Sequence, residues 1–164
     1  MTEQYGPSGG GGGDHYLDIL PDNYIDRGLY RISEIVVRSG DKIDAVTVTF
    51  EGYGNPQTKR VGGGGGDDNP SITLQQGEYI IAVYGRSGDV VDAIAFQTNF
   101  ANYPLRGGHG EIVYYGGNGG RPFVYTISTS QLSADLPNEE IIGFFSHYGD
   151  KVDSIGVYAR QRPI

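Results

Sequence analysis

The chain has 164 residues, with 12 Lys and Arg against 20 Asp and Glu, which gives a formal net charge of −8. This acidic balance argues against nucleic acid or an anionic membrane as a partner, because both need a basic binding surface. No apolar run approaches the ~20 residues of a membrane-spanning helix, so we expect no membrane insertion. The chain contains no cysteine, which excludes disulfides, thiolate catalysis and cysteine-ligated zinc.

The length favours a single domain over residues 1–164. Residues 1–13 lack a basic stretch followed by an apolar one, so no signal peptide is expected. A soluble protein, either cytoplasmic or exported by a non-classical route, is compatible with these features. A homodimer is compatible with them as well.

Glycine is the most over-represented residue, with 28 copies, and the chain also carries 13 Tyr and 6 Phe. A chain this aromatic can bury enough apolar area to offset the entropy of ordering, so the glycines do not indicate disorder. They form three clusters, at residues 9–13, 62–66 and 116–120, and the last glycines of successive clusters are 53 and 54 residues apart. This period indicates an internal repeat.

A second element recurs in the same order, a Gly-Asp pair followed by a β-branched residue and a second Asp, at 40–44, 88–92 and 149–153. Extended apolar stretches precede each copy, at 35–37, 79–84 and 141–145. Apolar residues then recur at the second and fourth positions after the final Asp, which is the period of a half-buried strand: Val46 and Val48, Ile94 and Phe96, Ile155 and Val157. Each Gly-Asp is therefore predicted to be the tip of a hairpin.

These elements predict an all-β fold with three-fold internal pseudosymmetry and roughly four strands in each repeat. Two polar segments, 18–28 and 128–138, are predicted to be loops, and a short helical turn is an alternative for the second.

The repeated elements also indicate a binding chemistry. A glycine cluster lets the main chain approach a ligand closely. A Gly-Asp hairpin tip presents successive N–H donors and then a carboxylate, and one ionised carboxylate can accept hydrogen bonds from two neighbouring hydroxyls. This combination suits a vicinal polyol such as a sugar, which needs no cationic site.

The order of these segments resembles that of the jacalin-related lectins. The resemblance covers residues 6–158 and is most specific at Gly-Glu-Tyr 77–79, Thr-Asn 98–99, Gly-Phe-Phe 143–145 and the segment 153–158. It implies a β-prism of three four-stranded antiparallel sheets around a pseudo-three-fold axis. It also implies sugar binding at one end of the prism, without metal, cofactor or catalysis.

In that family, a Gly-x-x-x-Asp loop faces a Gly-Gly loop. By position, the resemblance pairs three sets of residues with the three glycine clusters: Asp150, Lys151 and Asp153 with Gly13; Asp41, Lys42 and Asp44 with Gly66; Asp89, Val90 and Asp92 with Gly120. The last Asp of each set would accept bonds from two ring hydroxyls. The first two residues of each set and the final glycine would donate main-chain N–H groups.

All three sets are complete, which resembles family members with three sites in one prism. Those members carry Tyr at the middle position, where this chain has Lys42, Val90 and Lys151. Apolar stacking on a sugar would then be weaker, or it would come from a nearby residue such as Tyr16 or Tyr148. The uncleaved lead before the first glycine cluster favours, by resemblance, the mannose/glucose branch. The implied partners are mannose- or glucose-type oligosaccharides and glycoproteins.

The same sequence features allow other interpretations. The aspartates could simply cap loop N–H groups, which would make the chain a structural or protein-interaction module with reduced or no sugar binding. A phosphate loop needs a following helix, and calcium-binding glycine repeats must be tandem, so neither fits. His15, His109 and His147 lack the spacing of a metal site. A glycosidase needs a buried carboxyl with a raised pKa in a cleft, which hairpin tips do not provide, so no enzymatic activity is expected.

Overall fold

The computed structural model describes residues 2–22, 30–52, 54–127 and 139–162. In these residues the chain forms fourteen β-strands and no helix. The strands are β1 (Thr2–Gly9), β2 (His15–Ile19), β3 (Arg31–Ser39), β4 (Ile43–Glu51), β5 (Gln57–Gly62), β6 (Asp67–Asp68), β7 (Ile72–Thr73), β8 (Ile80–Ser87), β9 (Val91–Thr98), β10 (Asn102–Tyr103), β11 (Tyr115–Gly116), β12 (Arg121–Thr126), β13 (Glu139–Tyr148) and β14 (Ser154–Gln161).

Three antiparallel hairpins form the framework, β3–β4, β8–β9 and β13–β14. Each turns at one of the repeated Gly-Asp segments, so the predicted hairpins are confirmed. Within each tip the hairpin glycine donates its N–H to the carbonyl two residues later, at 3.0 Å for Gly40, 2.9 Å for Gly88 and 3.0 Å for Gly149. These bonds keep the turns tight, which is a local property that short sequence patterns encode well.

The strands that flank each hairpin repeat the same register. The first glycine of each cluster pairs with the residue after the last Asp of the tip, as Gly62 does with Ala45. The residue after the cluster, or in the first repeat the second residue after it, pairs with the residue before the hairpin glycine, as Asp67 does with Ser39. The equivalent pairs elsewhere are Gly116 with Ala93, Arg121 with Ser87, Gly9 with Ser154 and His15 with Tyr148. Each glycine cluster therefore spans its own hairpin from one side to the other, around the tip.

Hydrogen bonding links the strands into two sheets, of nine and five strands. The smaller sheet is the β3–β4 unit with its flanking strands. The larger one contains both other units, which are joined where Ile141 of β13 pairs with Ile80 of β8. The prediction of an all-β antiparallel fold is confirmed, whereas three separate four-stranded sheets are not, because this single pair merges two of the units.

The residues predicted to face inward from the hairpins all lie in one apolar core. Val46, Val48, Ile94, Ile155 and Val157 are fully buried, and Phe96 is 2% exposed. The prediction of half-buried strands was wrong for β9 and β14, which are covered on both faces. In β14 an aromatic ring supplies the second cover, because the Phe145 ring lies so close to Gly156 that a Cβ there would overlap it. The Phe123 ring covers Gly85 of β8 in the same way.

The predicted loop over 18–28 begins later than expected. Asp18 and Ile19 belong to β2, because His15–Ile19 pairs with residues 144–148 of β13. Residues 23–29, and all of the predicted loop at 128–138, lie outside the described residues. No helix in the described part of the chain is long and apolar enough to cross a membrane.

A buried carboxylate organises the end of the hairpins opposite the tips. Glu78 is 4% exposed and accepts hydrogen bonds from Thr98 Oγ1 at 2.6 Å, Tyr103 Oη at 2.8 Å and the Gln75 N–H at 2.9 Å. Burial acts to raise the pKa of Glu78, but these donors outweigh it and the net pKa is lowered. Glu78 thus anchors three segments of the chain as an ionised group.

Candidate binding sites at the hairpin tips

At each tip, the last aspartate of the repeat lies against the end of its glycine cluster. A Cβ at Gly13 would lie 2.7 Å from Asp153 Oδ2, and one at Gly12 would lie 3.0 Å from Asp153 Oδ1. Gly13 also has a φ of 86°, which residues with a side chain rarely adopt. Only glycine therefore allows the main chain to face this carboxylate at close range.

The other two tips repeat this arrangement. A Cβ at Gly65 would lie 2.7 Å from Asp44 Oδ1, and a Cβ at Gly120 would lie 2.7 Å from Asp92 Oδ2. We call the three arrangements the Asp44, Asp92 and Asp153 sites, each consisting of the aspartate, its hairpin tip and the glycine cluster it faces. The pairings predicted for Asp44 with Gly66, Asp92 with Gly120 and Asp153 with Gly13 are the ones that the structure brings together.

The first residue of each tip borders two sites. The carbonyl oxygen of Asp41 lies against Gly117, at the start of the glycine cluster of the Asp92 site. In the same way the carbonyl of Asp89 lies against Gly10, and that of Asp150 against Gly63. The tips are also bonded to one another, with the Val91 N–H donating to the Val152 carbonyl at 2.9 Å. The three sites consequently form a closed ring at one end of the fold.

The lysines at the middle positions also reach the neighbouring site. Lys42 Nζ lies 2.6 Å from Asp92 Oδ1, and Lys151 Nζ lies 2.8 Å from Asp44 Oδ1. Both carboxylate side chains are only 4% exposed, whereas the lysine side chains are 42% and 43% exposed. The hydrogen bond to Asp92 is also the main reason that the pKa of Lys42 is raised. Sequence reasoning placed each lysine in the site of its own tip and did not predict these contacts.

The Asp153 site lacks such a lysine. Its ring neighbour is the tip at 88–92, where the position equivalent to Lys42 and Lys151 is Val90. Among the described residues no ion pair reaches Asp153, which is only partly buried, unlike Asp44 and Asp92 at 3% exposure each. The charge of this carboxylate is therefore available to a ligand.

Aromatic side chains border the Asp153 site. The rings of His15 and Tyr148 are stacked, with centroids 5.3 Å apart and planes at 26°. The rings of Tyr16 and His147 are 4.9 Å apart, and Tyr16 is 48% exposed. The Asp44 site has Asp67 and Ser39 at the positions of His15 and Tyr148, so it offers no comparable apolar surface.

Arginines hold the other two glycine clusters, which sequence reasoning missed. Arg38 donates from Nε to the Gly65 carbonyl at 3.0 Å, and Arg86 donates from Nε to the Gly119 carbonyl at 3.0 Å. Both arginines lie two residues before the hairpin glycine, a position that His147 occupies in the third repeat. The recurrence of Arg-Ser-Gly-Asp in two repeats was the sequence signal for this role.

The environment of Asp153 raises its pKa. Burial is the main cause, and the charge of Asp150 adds to it, while the Gly149 N–H and His147 act in the opposite direction. A carboxyl with a raised pKa contributes stability while protonated, and this contribution is lost as the pH rises through that pKa. An ionised Asp153 at neutral pH therefore costs stability.

Replacing Asp153 with asparagine should stabilise the protein at neutral pH, because the variant removes a desolvated charge but keeps the size of the side chain. The gain should shrink on acidification, as Asp153 of the parent protein becomes protonated. Urea unfolding of both proteins at pH 7 and near pH 4 would measure this difference. Asp44→Asn is the matched control and should lose stability at pH 7, since it leaves Lys151 unpaired; a loss for Asp153→Asn as well would contradict the prediction.

Other features of the described residues do not suggest chemistry at the tips. No group of three or more His, Asp or Glu side chains there could hold a metal ion. A partly enclosed cavity lies at the opposite end of the hairpins, near Tyr79, Glu140 and Arg162. Its charges are already engaged, since Glu140 pairs with Arg160 at 3.2 Å and the Arg162 guanidinium lies 3.8 Å from the Tyr79 ring centroid.

The repeated pairing of glycine clusters with hairpin tips corresponds to a known domain. A family model described as the jacalin-like lectin domain matches residues 5–158. The chain belongs to the jacalin-like lectin family. Lectins of this family bind carbohydrate without catalysing a reaction, so the family and the non-enzymatic character predicted from the sequence are confirmed.

Several relatives of this jacalin-like lectin domain match nearly its whole length. The jacalin-related lectin Calsepa of Calystegia sepium is 30% identical over 169 residues, which cover 96% of this chain and 94% of that lectin. Its crystal structure in complex with a biantennary N-glycan has a TM-score of 0.72 at 27% identity and covers 99% of this chain and 98% of that one. Griffithsin of Griffithsia sp. is 35% identical over 130 residues, covering 79% of this chain and 85% of griffithsin.

The solved structure of another relative also matches nearly the whole chain. AcmJRL, a mannose-binding jacalin-related lectin from Ananas comosus, has a TM-score of 0.75 at 25% identity, and the match covers 98% of this chain and 99% of that chain. The jacalin-like lectin domain described here thus shares its overall fold with a lectin of known ligand class.

Proposed function

We propose that this jacalin-like domain binds mannose- or glucose-type glycans, without a metal ion, at the tips of its three hairpins. The observation that carries the proposal is the position of Asp153, whose carboxylate faces the bare main chain of Gly12 and Gly13 with no cation paired to it among the described residues. Such a carboxylate, opposite main-chain donors, matches the donor and acceptor pattern of a sugar with adjacent hydroxyls.

Each residue of the Asp153 site has a role in this proposal. The two carboxylate oxygens of Asp153 accept hydrogen bonds from two neighbouring sugar hydroxyls, and these bonds are strengthened by the negative charge. The N–H groups of Gly13, Asp150 and Lys151 donate to sugar oxygens. The ring of Tyr148 or Tyr16 provides an apolar surface for the C–H face of the sugar.

The same roles extend to the other two tips. At the Asp44 site the N–H donors are those of Asp41, Lys42 and Gly66, and at the Asp92 site they are those of Asp89, Val90 and Gly120. The domain would then present up to three sites on one end of the fold. A branched glycan that engages several of them would gain roughly 10²–10⁴ in avidity without any new contact.

The relatives support the choice of ligand. AcmJRL is a mannose-binding lectin, and Calsepa lectin has been solved with a biantennary N-glycan. A single sugar held by a few solvent-exposed hydrogen bonds should bind weakly, with a Kd on the order of 0.1–10 mM.

A second candidate function is a β-prism module for structure or protein interaction, with reduced or no sugar binding. The observation that favours it is that Asp44 and Asp92 already accept hydrogen bonds from Lys151 and Lys42. If no sugar binds at these two sites or at the Asp153 site, this second candidate function is the better one.

The proposal predicts that methyl α-mannoside or methyl α-glucoside binds with a millimolar Kd, while methyl β-galactoside does not. A titration followed by ¹H–¹⁵N NMR would measure this, with glycan-array binding as a test on larger ligands. Because no metal takes part, the Kd should be unchanged after dialysis against EDTA. The absence of any amide shift with the mannoside and the glucoside up to about 100 mM, well above the expected Kd range, would contradict the proposal.

A further inference from the structure

The three sites are chemically unequal although their main-chain geometry repeats. We propose that the ammonium groups of Lys42 and Lys151 occupy the Asp92 and Asp44 sites and thereby weaken sugar binding at these two sites relative to the Asp153 site. This inference rests on the proposed function, because it concerns which of the proposed sites takes the ligand first.

The first argument is the position of each ammonium group. Lys42 Nζ and Lys151 Nζ both contact the Oδ1 atom of their aspartates, at 2.6 and 2.8 Å. This oxygen is the one that faces the penultimate glycine in each cluster, so it borders the space a sugar would enter. A sugar hydroxyl must therefore displace a charge-assisted hydrogen bond before it can bond to Oδ1.

Burial provides the second argument. The Asp44 and Asp92 side chains are each 4% exposed, with the partner lysine as their cover, while Asp153 is only partly buried. A neutral hydroxyl replaces an ammonium poorly next to a desolvated carboxylate, since the charge of the carboxylate is then left without a counter-ion. At Asp153 no ion pair among the described residues has to be broken before sugar hydroxyls can bind.

The ring arrangement explains why one site differs. The middle residue of each tip extends to the neighbouring site, so Lys42 contacts Asp92 and Lys151 contacts Asp44. The equivalent residue for Asp153 is Val90, which has no charge to contribute. The three sites thus differ in a residue that the neighbouring repeat contributes.

The arginines add a further difference between the sites. Arg38 and Arg86 hold the carbonyls of the glycine clusters at the Asp44 and Asp92 sites, whereas the third repeat has His147, whose ring contacts Tyr16. At the Asp44 and Asp92 sites, an arginine therefore holds the glycine cluster and a lysine pairs with the aspartate. The Asp153 site has a carboxylate that pairs with no cation among the described residues, and it has an aromatic border, which are features a sugar site needs.

Sugar binding at the three sites can be followed separately, because the glycine cluster of each site ends in a different glycine. The amide signals of Gly13, Gly66 and Gly120 in ¹H–¹⁵N spectra would report the Asp153, Asp44 and Asp92 sites during titration with methyl α-mannoside. We expect the Kd at Gly13 to be about tenfold lower than at Gly66 and Gly120, the equivalent of one displaced charge-assisted hydrogen bond.

Valine at the lysine positions is the matched substitution, since the chain itself has Val90 there. Lys151→Val should lower the Kd at Gly66 about tenfold, and Lys42→Val should do the same at Gly120. Val90→Lys should raise the Kd at Gly13 by a similar factor. Lys59→Val, which removes a lysine paired with Asp22 at 2.8 Å outside the three sites, should change none of the three values.

The possible outcomes separate this inference from the proposed function. Equal Kd values at the three glycines of the parent protein, or no response of Gly66 to Lys151→Val and of Gly120 to Lys42→Val, would overturn the inference while leaving sugar binding in place. No shift at any of the three glycines, in the parent protein or the variants, would overturn both.

Discussion

Asp153→Ala should reduce the affinity for methyl α-mannoside at the Gly13 reporter at least a hundredfold. The substitution removes the only acceptor that can take two sugar hydroxyls in this site, and hydrogen bonds to a charged group contribute about 1.5–3 kcal/mol each. Losing two such bonds corresponds to more than two orders of magnitude in Kd. The measurement is the same ¹H–¹⁵N titration, with far-UV circular dichroism to check that the fold is kept.

The control for this variant is Glu111→Ala, which removes an exposed carboxylate outside the three sites. Its Kd should equal that of the parent protein. Asp44→Ala and Asp92→Ala should weaken overall mannoside binding much less than Asp153→Ala does, because lysines already engage their carboxylates. A parent-like Kd at Gly13 in Asp153→Ala would show that the ligand is held by other groups.

Glu78→Ala should lower the free energy of unfolding by about 3 kcal/mol, a loss typical of breaking a buried, hydrogen-bonded charge. Thr98 Oγ1, Tyr103 Oη and the Gln75 N–H would all lose their acceptor. Urea unfolding at pH 7 measures the loss. Because the pKa of Glu78 is lowered in the folded state, its contribution is present at neutral pH and is lost as the pH falls through that pKa.

Two comparisons sharpen this second test. Glu78→Gln retains the shape of the side chain but brings an NH₂ group toward three donors, so it should recover only part of the stability. Binding of methyl α-mannoside should be unchanged in the folded fraction of either variant, since Glu78 lies at the far end of the hairpins from the tips. A loss below about 1 kcal/mol for Glu78→Ala would mean that water replaces the carboxylate in this cluster.

The hairpins could be predicted from the sequence because their determinants are local. A glycine at the turn, an aspartate beside it and apolar residues at every second position lie within about ten residues of one another. The period of the glycine clusters was equally visible. The resemblance to the jacalin-related lectins, and not the period, placed Gly13, Gly66 and Gly120 beside the tips at 149–153, 40–44 and 88–92, and the register of the flanking strands agrees with this placement.

The contacts that distinguish the three sites could not be predicted in this way. The ion pair of Lys42 with Asp92 joins residues 50 positions apart, and that of Lys151 with Asp44 joins residues 107 positions apart. They depend on the rotation of one repeat relative to the next, which no local pattern records. The merging of two units through Ile141 and Ile80 depends on the same long-range geometry.

Glu78 illustrates a second limit of prediction from the sequence. In the sequence it is one of 20 acidic residues, and a carboxylate is expected at the surface. Only the resemblance drew attention to Gly-Glu-Tyr 77–79 and Thr-Asn 98–99, and it gave no physical reason. The structure supplies that reason, because Glu78 and Thr98 of these two motifs share a hydrogen bond of 2.6 Å.

The Asp153 site joins segments that are distant along the chain. Gly13 precedes Asp153 by 140 residues, whereas the partners in the other two sites, Asp44 with Gly66 and Asp92 with Gly120, are separated by 22 and 28 residues. On the ribosome, the first two tips can close while synthesis continues, but the third must wait for the final hairpin to emerge and return to the first strand. A nascent chain could therefore bring Lys42 to Asp92 early, whereas Lys151 reaches Asp44, and Gly13 meets Asp153, only after the final hairpin has left the ribosome.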